Sequence, residues 1–428
     1  MNTTTICAPA TPTGGALAVV RISGPNTFSC VSAVFSRSLN DAPPRKALLG
    51  TLHLESGEPL DEVLVTLFPA PHSYTGEDCA EISCHGSSYI VSQLMQLLTR
   101  HGCTIAQPGE FTQRAFLAGK MDLTQAEAVA DLIAATTSAQ HKAAFSGLRG
   151  NINTTLSVLN EKLLTLTSLL ELELDFSDHE ELEFAPRTDL IDLTCQITDH
   201  VHALISSFAT GNAIRQGIPV AIIGAPNVGK STLLNVLVGE ERAIVSPIQG
   251  TTRDIVEDTA VIDGITFRFL DTAGLRHTSD PIEHLGQERS LQAARQARIV
   301  LMLTEPGVPF PSIEVRPDQT LIRRTNKTAD FSALNGIGID ALRRELRAVI
   351  PPIDPDAVVI TSARQHALLC QSRDALAAVR RALTSATPSD LVAEDLRQVL
   401  NLIGQITGTA ITSQDTLQNI FSHFCIGK

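Results

Sequence analysis

The sequence predicts three domains: an α+β module at the N-terminus, a discontinuous all-α domain, and an α/β domain inserted into the helical one. In residues 1–118, short apolar runs alternate with turn residues, which is typical of a compact α+β module. Helical periodicity covers residues 119–216 and returns in residues 351–428. Residues 217–350 alternate strand-like and helix-like segments around one glycine-rich loop. Because loop tips tolerate inserted domains, this order predicts an α/β domain within a loop of the helical domain.

Composition and charge limit the classes of function. The 428 residues are 43% apolar and 18% charged, and the formal net charge is −13. Acidic chains bind nucleic acid poorly through charge alone, so any RNA contact should be local or assisted by a partner. The cysteines include no C-x-x-C pair, which argues against a zinc or disulfide framework and favours reduced thiols in the cytoplasm. No apolar run reaches the ~18 residues of a membrane span, so no membrane association is expected.

Polar residues beside glycines are the candidate functional residues of the N-terminal module. Arg21 precedes one such glycine, and two further polar segments cover residues 73–78 and 81–86. Polar residues and glycines are common in surface turns, and they also line ligand sites, so both interpretations stay open. The predicted elements around them are strands at 16–22 and 63–68 and a helix at 87–98.

Periodicity predicts long packed helices in the helical domain. A capping box at Thr124–Glu127 opens a helix that runs through Ile133 and beyond. In the next helix, leucines recur at spacings of three and four residues, which predicts a helix face packed in the core. No catalytic or binding role is implied for these leucines. These leucines are Leu156, Leu159, Leu163, Leu166 and Leu170.

Glycine, proline and acidic stretches bound the remaining helices. A helix is predicted at 188–208, ending at Gly211-Asn212. The acidic stretch 175–183 is expected to be a solvated turn, and the proline-rich stretch 351–355 a linker. Further helices are predicted at 363–384, 389–403 and 417–424.

The glycine-rich loop carries the strongest chemical signal. Gly224–Ser231 reads G-x-x-x-x-G-K-S between an apolar strand candidate at 219–223 and a helix candidate at 231–237. In such a loop, backbone N–H groups and the helix N-terminus surround phosphate oxygens. Lys230 should reach the β- and γ-phosphates, and the Ser231 hydroxyl should ligate Mg²⁺.

Three further motifs follow in the order that a nucleotide switch requires. Gly250–Asp254 offers a threonine hydroxyl for the metal and the γ-phosphate. A strand candidate at 266–270 ends in Asp271–Gly274, where Asp271 suits a Mg²⁺-associated Walker B role. Asn326-Lys327 follows another strand candidate, at 320–322, where a GTPase places its guanine-reading N-K-x-D. Together these motifs predict a GTP-dependent switch.

With these motifs in view, the chain resembles the tRNA uridine-5-carboxymethylaminomethyl modification GTPases, the MnmE or TrmE family, over nearly its whole length. The resemblance implies a folate-binding N-terminal domain and an inserted, Ras-like P-loop G domain. The residues that carry it are Gly224–Thr232, Gly250–Asp254, Asp271–Arg276, Arg114–Leu123 and the terminal Phe424–Lys428.

The resemblance also implies an activity, cofactors and partners. The activity is GTP hydrolysis within a complex that adds a (carboxymethyl)aminomethyl group at C5 of the wobble uridine, position 34, of tRNA. The implied cofactors are GTP, Mg²⁺, K⁺ and a tetrahydrofolate derivative that provides a one-carbon unit. The implied partners are a second copy of the chain, a flavin-dependent protein of the MnmG/GidA type, and tRNA.

Roles follow from the resemblance residue by residue. Glu283 would orient the attacking water, and Cys425 would serve the modification chemistry unless it only closes a helix end as a small apolar residue. The Mg²⁺ ligands would be Ser231 and Thr252, and the K⁺ ligands Asn227, Ser246, Ile248 and Thr251. The folate-binding residues would be Arg21, Glu81, Lys120 and Lys428. The nucleotide-binding residues would be Asn227, Val228, Gly229, Lys230, Ser231, Thr232, Thr251, Asp271, Thr272, Ala273, Gly274, Asn326, Lys327, Asp330, Ser332 and Ala333.

The sequence departs from the family in the base-reading region. Position 329, where the guanine-reading aspartate is expected, is Ala, and the nearby acid is Asp330. Ser332-Ala333, which resembles the next guanine-contact loop, follows almost at once, so a helix and a strand that normally intervene are expected to be missing. We expect a one-residue bulge after Lys327 to let Asp330 take the guanine-reading role.

Two other functions are consistent with parts of the sequence. A regulatory GTPase of ribosome assembly is one, although it would need a basic RNA-binding appendage that the acidic composition does not supply. A scaffold whose nucleotide site has decayed is the other, and the shortened base-reading region supports it.

Overall fold

The computed structural model describes most of the chain. The acidic residues 176–183 and the linker at 351–355 lie outside the part described. The chain divides into two compact units, the first formed by Met1–Ala130 with Gly404–Lys428 and the second by Asp131–Ile403. The described residues are 4–39, 42–175, 186–239, 258–270, 291–349, 358–385, 387–410, 414–422, 424, 425 and 427.

Both units contain helices and strands. Among the described residues, none of the helices is both long and apolar enough to cross a membrane. The helices are α1 Thr27–Ser32, α2 Ser88–Arg100, α3 Glu110–Leu117, α4 Leu123–Ala134, α5 Ser138–Leu148, α6 Asn151–Asp175, α7 Arg187–Gln216, α8 Lys230–Gly239, α9 Ile339–Ala348, α10 Ala363–Thr384, α11 Ser389–Thr407 and α12 Gln414–Phe421. The strands are β1 Thr5–Pro9, β2 Leu17–Ser23, β3 Ala47–His53, β4 Pro59–Phe68, β5 Cys79–His85, β6 Cys103–Ile105, β7 Ile218–Ile223, β8 Asp258–Ile262, β9 Ile265–Phe269, β10 Ile299–Thr304 and β11 Thr320–Thr325.

The first unit is built on a six-stranded sheet in the order β3-β4-β5-β2-β1-β6. β1 and β6 run parallel, and the other neighbouring strands are antiparallel. Alternate residues of β2, β4 and β5 are buried, so one sheet face forms a core with α1 and α2. The predicted strands at 16–22 and 63–68 and the helix at 87–98 are confirmed as β2, β4 and α2.

The predicted capping box of α4 is wrong by two residues. The Asp122 carboxylate accepts the Gln125 backbone N–H at 2.9 Å, and Gln125 Oε1 accepts the Asp122 N–H at 3.0 Å. Thr124 lies inside the helix and donates its hydroxyl to Asp122 Oδ1 at 2.6 Å. Asp is a strong N-cap residue, so this reciprocal pair satisfies the first turn and displaces the box predicted at Thr124–Glu127.

Long helices dominate the second unit outside its sheet. The predicted leucine stripe is confirmed, since the five leucines from Leu156 to Leu170 are at most 1% exposed along α6. The helix predicted at 363–384 is α10, and the helix predicted at 389–403 is α11, which runs on to Thr407. The last predicted helix, at 417–424, is α12, and it lies in the first unit.

The predicted end of α7 at Gly211-Asn212 is wrong, because the helix continues to Gln216. Gly211 lies inside the helix, where a Cβ atom would stand 2.1 Å from the Ile360 carbonyl oxygen. The glycine therefore permits close packing between α7 and the segment that leads into α10. The helix instead stops at Gly217, whose φ of 80° places it in the left-handed region.

A five-stranded sheet in the order β11-β10-β7-β9-β8 organises residues 218–348. Only β8 and β9 are antiparallel within it. The predicted strand at 219–223 and helix at 231–237 are confirmed as β7 and α8, with the glycine-rich loop between them at the carboxyl end of a central strand. The strands predicted at 266–270 and 320–322 are confirmed as β9 and β11.

The segment between β11 and α9 is short and irregular. Residues 326–338, all of them described, form turns and a single β-bridge between Ser332 and Ile337, with no helix or strand among them. β11 therefore forms one edge of the sheet. Arg323 and Arg324 lie on this edge, and charged residues on an edge strand discourage pairing with another chain.

Replacing Gly211 with alanine should destabilise the second unit. The added Cβ would overlap the Ile360 carbonyl oxygen, and overpacking of this kind typically costs about 1–3 kcal/mol. We expect a lower melting temperature in calorimetry. Gly239→Ala is the matched control, because a Cβ there has no neighbour within 4 Å. A parental melting temperature for Gly211→Ala would contradict the close packing.

Candidate functional site

Two glycines shape the loop between β7 and α8. At Gly224, a Cβ atom would stand 2.3 Å from the Leu303 carbonyl oxygen, and at Gly229 it would stand 2.3 Å from the Asn326 amide nitrogen. Gly229 has a φ of 96°, and Asn227 also lies in the left-handed region with a φ of 63°. The loop consequently turns sharply against β10 and against the start of the segment after β11, with its backbone available to a ligand.

Lys230 begins α8 and folds its ammonium group back over the loop. Its Nζ donates to the carbonyl oxygens of Gly224 and Ala225, both at 2.8 Å. Burial lowers the pKa of this ammonium group. The helix N-terminus and the cation thus point into the same loop, which is the electrostatic requirement for holding a phosphate chain. Ser231 and Thr232 follow in the first turn of α8.

Asn326 connects the glycine-rich loop to the segment expected to read the base. Its side chain is buried at 3% exposure. Nδ2 donates to the Val228 carbonyl oxygen at 2.7 Å, and Oδ1 accepts the Ala333 backbone N–H at 2.9 Å. The structure therefore brings together Val228, Asn326 and Ala333, which are far apart in sequence and were each predicted as nucleotide-binding residues.

Lys327 lies beside the loop and is paired with an acid that the sequence reasoning missed. Its Nζ lies 2.5 Å from Glu305 Oε1 and 3.5 Å from the Asn227 carbonyl oxygen. Glu305 follows β10 directly, and Thr304 lies opposite Thr325 in the parallel ladder. The position of Glu305 directly after a strand was the signal that could have indicated this pair. Parallel neighbouring strands end at the same sheet edge, so residues that follow β10 and β11 lie close together.

Asp330 lies in a tight turn between β11 and α9. Thr328 closes the turn, accepting the Phe331 backbone N–H at 3.0 Å through its hydroxyl oxygen. The Asp330 side chain is exposed, while Ser332 is buried. The structure thus places Asp330 a few residues from Asn326 with its carboxylate at the surface.

The other predicted nucleotide and metal residues lie outside the described part of the chain. The predicted water-orienting Glu283 and the folate residue Lys428 are among them. The remaining residues in this group are Ser246, Ile248, Thr251, Thr252, Asp271, Thr272, Ala273 and Gly274.

In the first unit, Arg21 and Glu81 are cross-strand neighbours on β2 and β5. Arg21 donates to Glu81 Oε1 from Nε at 3.0 Å and from Nη2 at 2.8 Å. The guanidinium carbon lies 5.3 Å from the Tyr74 ring centroid and 5.8 Å from that of Phe111. Two of the predicted folate residues therefore meet, close to the ring of Tyr74 from the predicted polar segment 73–78 and to the ring of Phe111, for which no role was predicted.

The C-terminal tail lies against the same cluster. Arg21 Nη1 donates to the Gly427 carbonyl oxygen at 3.3 Å. Gly427 has a φ of 91°, and a Cβ atom there would stand 2.2 Å from the Pro9 carbonyl oxygen. The Cys425 carbonyl accepts the Gly109 N–H at 3.3 Å, while the Cys425 side chain is exposed. The structure thus brings the predicted thiol into the unit that carries Arg21.

Lys120 contacts the segment that carries Tyr74. Its Nζ donates to the Pro71 carbonyl oxygen at 2.5 Å, and its Cε would lie 3.2 Å from a Cβ at Gly76. Tyr74 donates or accepts a hydrogen bond with Thr112 at 2.9 Å, and burial raises the pKa of its hydroxyl. Lys120 is therefore linked to Arg21 through this segment, with no direct contact between the two residues in the described structure.

Arg114 is a buried cation at the start of the motif Arg114–Leu123, and the sequence predicted no role for it. Its side chain is 1% exposed and forms ion pairs with Glu77 at 3.0 Å and Glu110 at 2.8 Å. Nη1 also donates to the Thr4 carbonyl oxygen at 2.9 Å. Glu77 in turn accepts from Ser23 at 2.9 Å. This network fixes the segment 73–78, because a buried charge is stable only when its partners are held in place.

A central parallel strand, a glycine-rich loop and a helix N-terminus around a lysine define a P-loop nucleotide-binding protein. Models of two domain families match the chain: "GTP-binding protein TrmE N-terminus" over residues 5–120 and "MnmE helical domain" over residues 123–425. The chain belongs to the MnmE family of tRNA modification GTPases.

Curated relatives agree with this assignment. The chain is 44% identical to tRNA modification GTPase MnmE of Bacteroides fragilis and 45% identical to that of Bacteroides thetaiotaomicron, with all of both chains covered. It is 44% identical to tRNA modification GTPase MnmE of Cytophaga hutchinsonii, which it covers to 98%. The first comparison spans 468 residues, more than the 428 residues of this chain, so parts of that relative have no counterpart here.

The described cysteines should differ sharply in reactivity. Burial raises the pKa of the Cys30 thiol to about 12, so this thiol stays protonated at pH 8, and only the thiolate is nucleophilic. Cys425 is exposed. In a timed iodoacetamide reaction at pH 8, read by peptide mass spectrometry, Cys425 should be labelled well before Cys30. After denaturation, both should react alike. Equal rates in the native protein would contradict the buried position of Cys30.

Proposed function

We propose that this chain is the GTP-hydrolysing component of a complex that modifies the wobble uridine, position 34, of tRNA. Membership in the family makes it a GTPase of tRNA modification. The observation that carries the proposal is the pair of Asn326 hydrogen bonds, which join an intact phosphate loop to the base-reading segment. A decayed nucleotide site would have no reason to keep both bonds. The group added at C5 is a (carboxymethyl)aminomethyl group built with a folate one-carbon unit.

The inserted G domain comprises residues 217–350, within a helical domain made of residues 119–216 and 351–428. The N-terminal folate-binding domain covers residues 1–118. The sheet of residues 218–348, flanked in sequence by α7 and α10, supports this organisation. We further propose that two copies of the chain pair and that a flavin-dependent protein of the MnmG/GidA type completes the complex.

In hydrolysis, the loop N–H groups and Lys230 hold the phosphates and neutralise charge that develops on the γ-phosphoryl group. The remaining phosphate-contacting residues are Asn227, Val228, Gly229, Ser231, Thr232, Thr251, Asp271, Thr272, Ala273 and Gly274. Glu283 orients the attacking water, whose oxygen bonds to the γ-phosphorus as the bond to the β-γ bridging oxygen breaks. The half-buried ammonium of Lys230, directed into the loop, fits this role.

Two cations complete the nucleotide site in this proposal. Ser231 and Thr252 would hold Mg²⁺, and Asn227, Ser246, Ile248 and Thr251 would hold K⁺. Asn227 fits because its left-handed backbone places it at the tip of the loop. When bound, K⁺ supplies positive charge near the phosphates, the role that an arginine finger has in other GTPases. Equal hydrolysis rates in K⁺ and Na⁺ at matched ionic strength would exclude the K⁺ site.

A folate derivative would bind in the first unit through Arg21, Glu81, Lys120 and Lys428. The residues present fit such a group, because the Arg21 guanidinium lies near two aromatic rings and pairs with the Glu81 carboxylate, which is 31% exposed. When bound, the folate supplies the one-carbon unit. Arg21 and Glu81 would orient its ring through hydrogen bonds, and the Cys425 thiol would act nearby, since the tail docks on Arg21 through Gly427.

The function is tested by deleting the gene and analysing tRNA nucleosides by mass spectrometry. The deletion should remove the modified wobble uridine, and the parental gene should restore it. Cys425→Ser should fail to restore it while the purified variant hydrolyses GTP at the parental rate. Cys370→Ser, which changes a half-buried thiol of α10, is the matched control. Unaltered nucleosides after deletion would overturn the proposal, and full restoration by Cys425→Ser would remove the thiol from it.

Guanine selectivity should depend on Asp330, acting with Asn326, Lys327, Ser332 and Ala333. A carboxylate accepts both the ring N1–H and the 2-amino group of guanine, a pattern that adenine lacks. Loss of a charged hydrogen-bond pair typically costs about 1.5–3 kcal/mol, or roughly one to two decades in affinity. We expect Asp330→Asn to weaken GTP binding by this amount in calorimetric titration and to improve binding of xanthosine triphosphate.

The control for Asp330→Asn is Asp340→Asn, which removes a carboxylate that is 90% exposed on α9 of the same domain. It should leave both affinities unchanged. Parental GTP affinity in Asp330→Asn would show that another group reads the base.

A further inference from the structure

Helix α5 carries an exposed stripe of cationic and aromatic side chains that the nucleotide and folate sites do not use. His141, Lys142, Phe145 and Arg149 are all exposed, and Phe145 is 38% exposed despite its large apolar ring. His141, Phe145 and the C-cap residue Arg149 recur every four residues, and Lys142 precedes Phe145 by three, so the four side chains share one side of the helix. The opposite face is buried through Ala144 and Gly147. We refer to these four exposed residues as the α5 ladder.

Three flat groups of the ladder are aligned along the helix. The rings of His141 and Phe145 are stacked, with centroids 5.8 Å apart and planes 11° from parallel. The Arg149 guanidinium carbon lies 4.6 Å from the Phe145 centroid, a cation–π contact. An imidazole, a phenyl ring and a guanidinium thus follow one another at successive turns. Flat groups of these kinds are the ones on which proteins stack unpaired bases.

Local charge favours an anionic partner. The chain has 46 acidic residues and a net charge of −13, yet no Asp or Glu occurs between Asp131 and Glu161. This interval contains the whole ladder with Lys142 and Arg149. Within this interval the charged residues Lys142 and Arg149 are both cationic, and cationic side chains are the ones that pair with phosphate groups.

The helix that carries the ladder is held firmly at its start. Thr137 accepts the Gln140 N–H at 3.2 Å, and Gln140 Oε1 accepts the Thr137 N–H at 3.1 Å, a complete capping box. Gln140 Nε2 also donates to the Arg215 carbonyl oxygen at the end of α7, at 3.1 Å. A side-chain array on an anchored helix loses little conformational freedom when it binds a partner.

We propose that the α5 ladder binds single-stranded RNA. An unpaired base stacks on the His141 ring at the open end of the aligned groups, where Phe145 supports that ring from its other side, while Lys142 and Arg149 pair with the flanking phosphates. The inference rests on the proposed function only for the identity of the RNA, which is the loop of a tRNA. A stripe of alternating flat and cationic groups suits a nucleic acid better than a lipid surface, which would require a broader apolar face.

The test is fluorescence anisotropy of the purified chain with an unmodified, labelled tRNA transcript. Phe145→Ala should raise Kd by at least about fivefold, the lower end of what loss of a stacked base produces. Phe145→Trp should retain parental affinity, because it keeps a planar ring. Arg149→Ala should raise Kd and reduce the slope of log Kd against log salt by about 0.7, the value for one phosphate contact on a single strand.

Tyr89→Ala is the matched control, since Tyr89 is an aromatic residue that is 60% exposed on α2. It should bind the transcript like the parent. All variants should keep the parental melting temperature and GTPase rate, because the ladder lies at the surface. Parental affinity in Phe145→Ala, or a parent chain that does not bind the transcript, would overturn the inference. Phe145-dependent RNA binding by a chain without GTPase activity would support the inference and count only against the proposed function.

Discussion

The hydrogen bonds of one buried amide hold the nucleotide site together. Asn326 donates to the Val228 carbonyl oxygen and accepts the Ala333 N–H, so a single side chain connects the glycine-rich loop with the segment that follows β11. Both partners are backbone groups in a dry environment, where an unpaired group typically costs about 1–3 kcal/mol. A carboxamide carries both N–H donors and a carbonyl acceptor, so this one side chain can satisfy a backbone carbonyl and a backbone N–H at once. The relative placement of the loop and this segment therefore depends on having asparagine at position 326, directly after β11.

This amide also holds the short segment that follows β11. The residues between Asn326 and Ala333 form a tight turn closed by Thr328, and Ser332 forms a bridge with Ile337. The irregular segment lies beside the edge strand β11, while β7, β10 and β9 form the middle of the sheet. The core beneath the loop is correspondingly complete, with Leu233 and Leu301 both fully buried.

The sequence predicted most elements because their local signals agree with their tertiary surroundings. The apolar run of β7, the G-x-x-x-x-G-K-S motif and the leucine stripe of α6 each have one structural explanation. Predictions failed where one residue type serves several purposes. Gly211 was interpreted as a helix end, and only the three-dimensional approach of Ile360 shows that it permits packing. Glu305, the partner of Lys327, was missed because its signal, an acid at the carboxyl end of a strand, becomes informative only once β10 is known to lie beside β11.

The C-terminal tail makes the first unit depend on both ends of the chain. Arg21 donates to the Gly427 carbonyl oxygen, Gly109 donates to that of Cys425, and Gly404–Lys428 belongs to the same compact unit as Met1–Ala130. During translation, residues 404–428 leave the ribosome only after residues 131–403. The first unit therefore begins to fold early but acquires these contacts after the second unit has emerged. Completion of the Arg21 cluster thus waits for a segment that is made after the second unit.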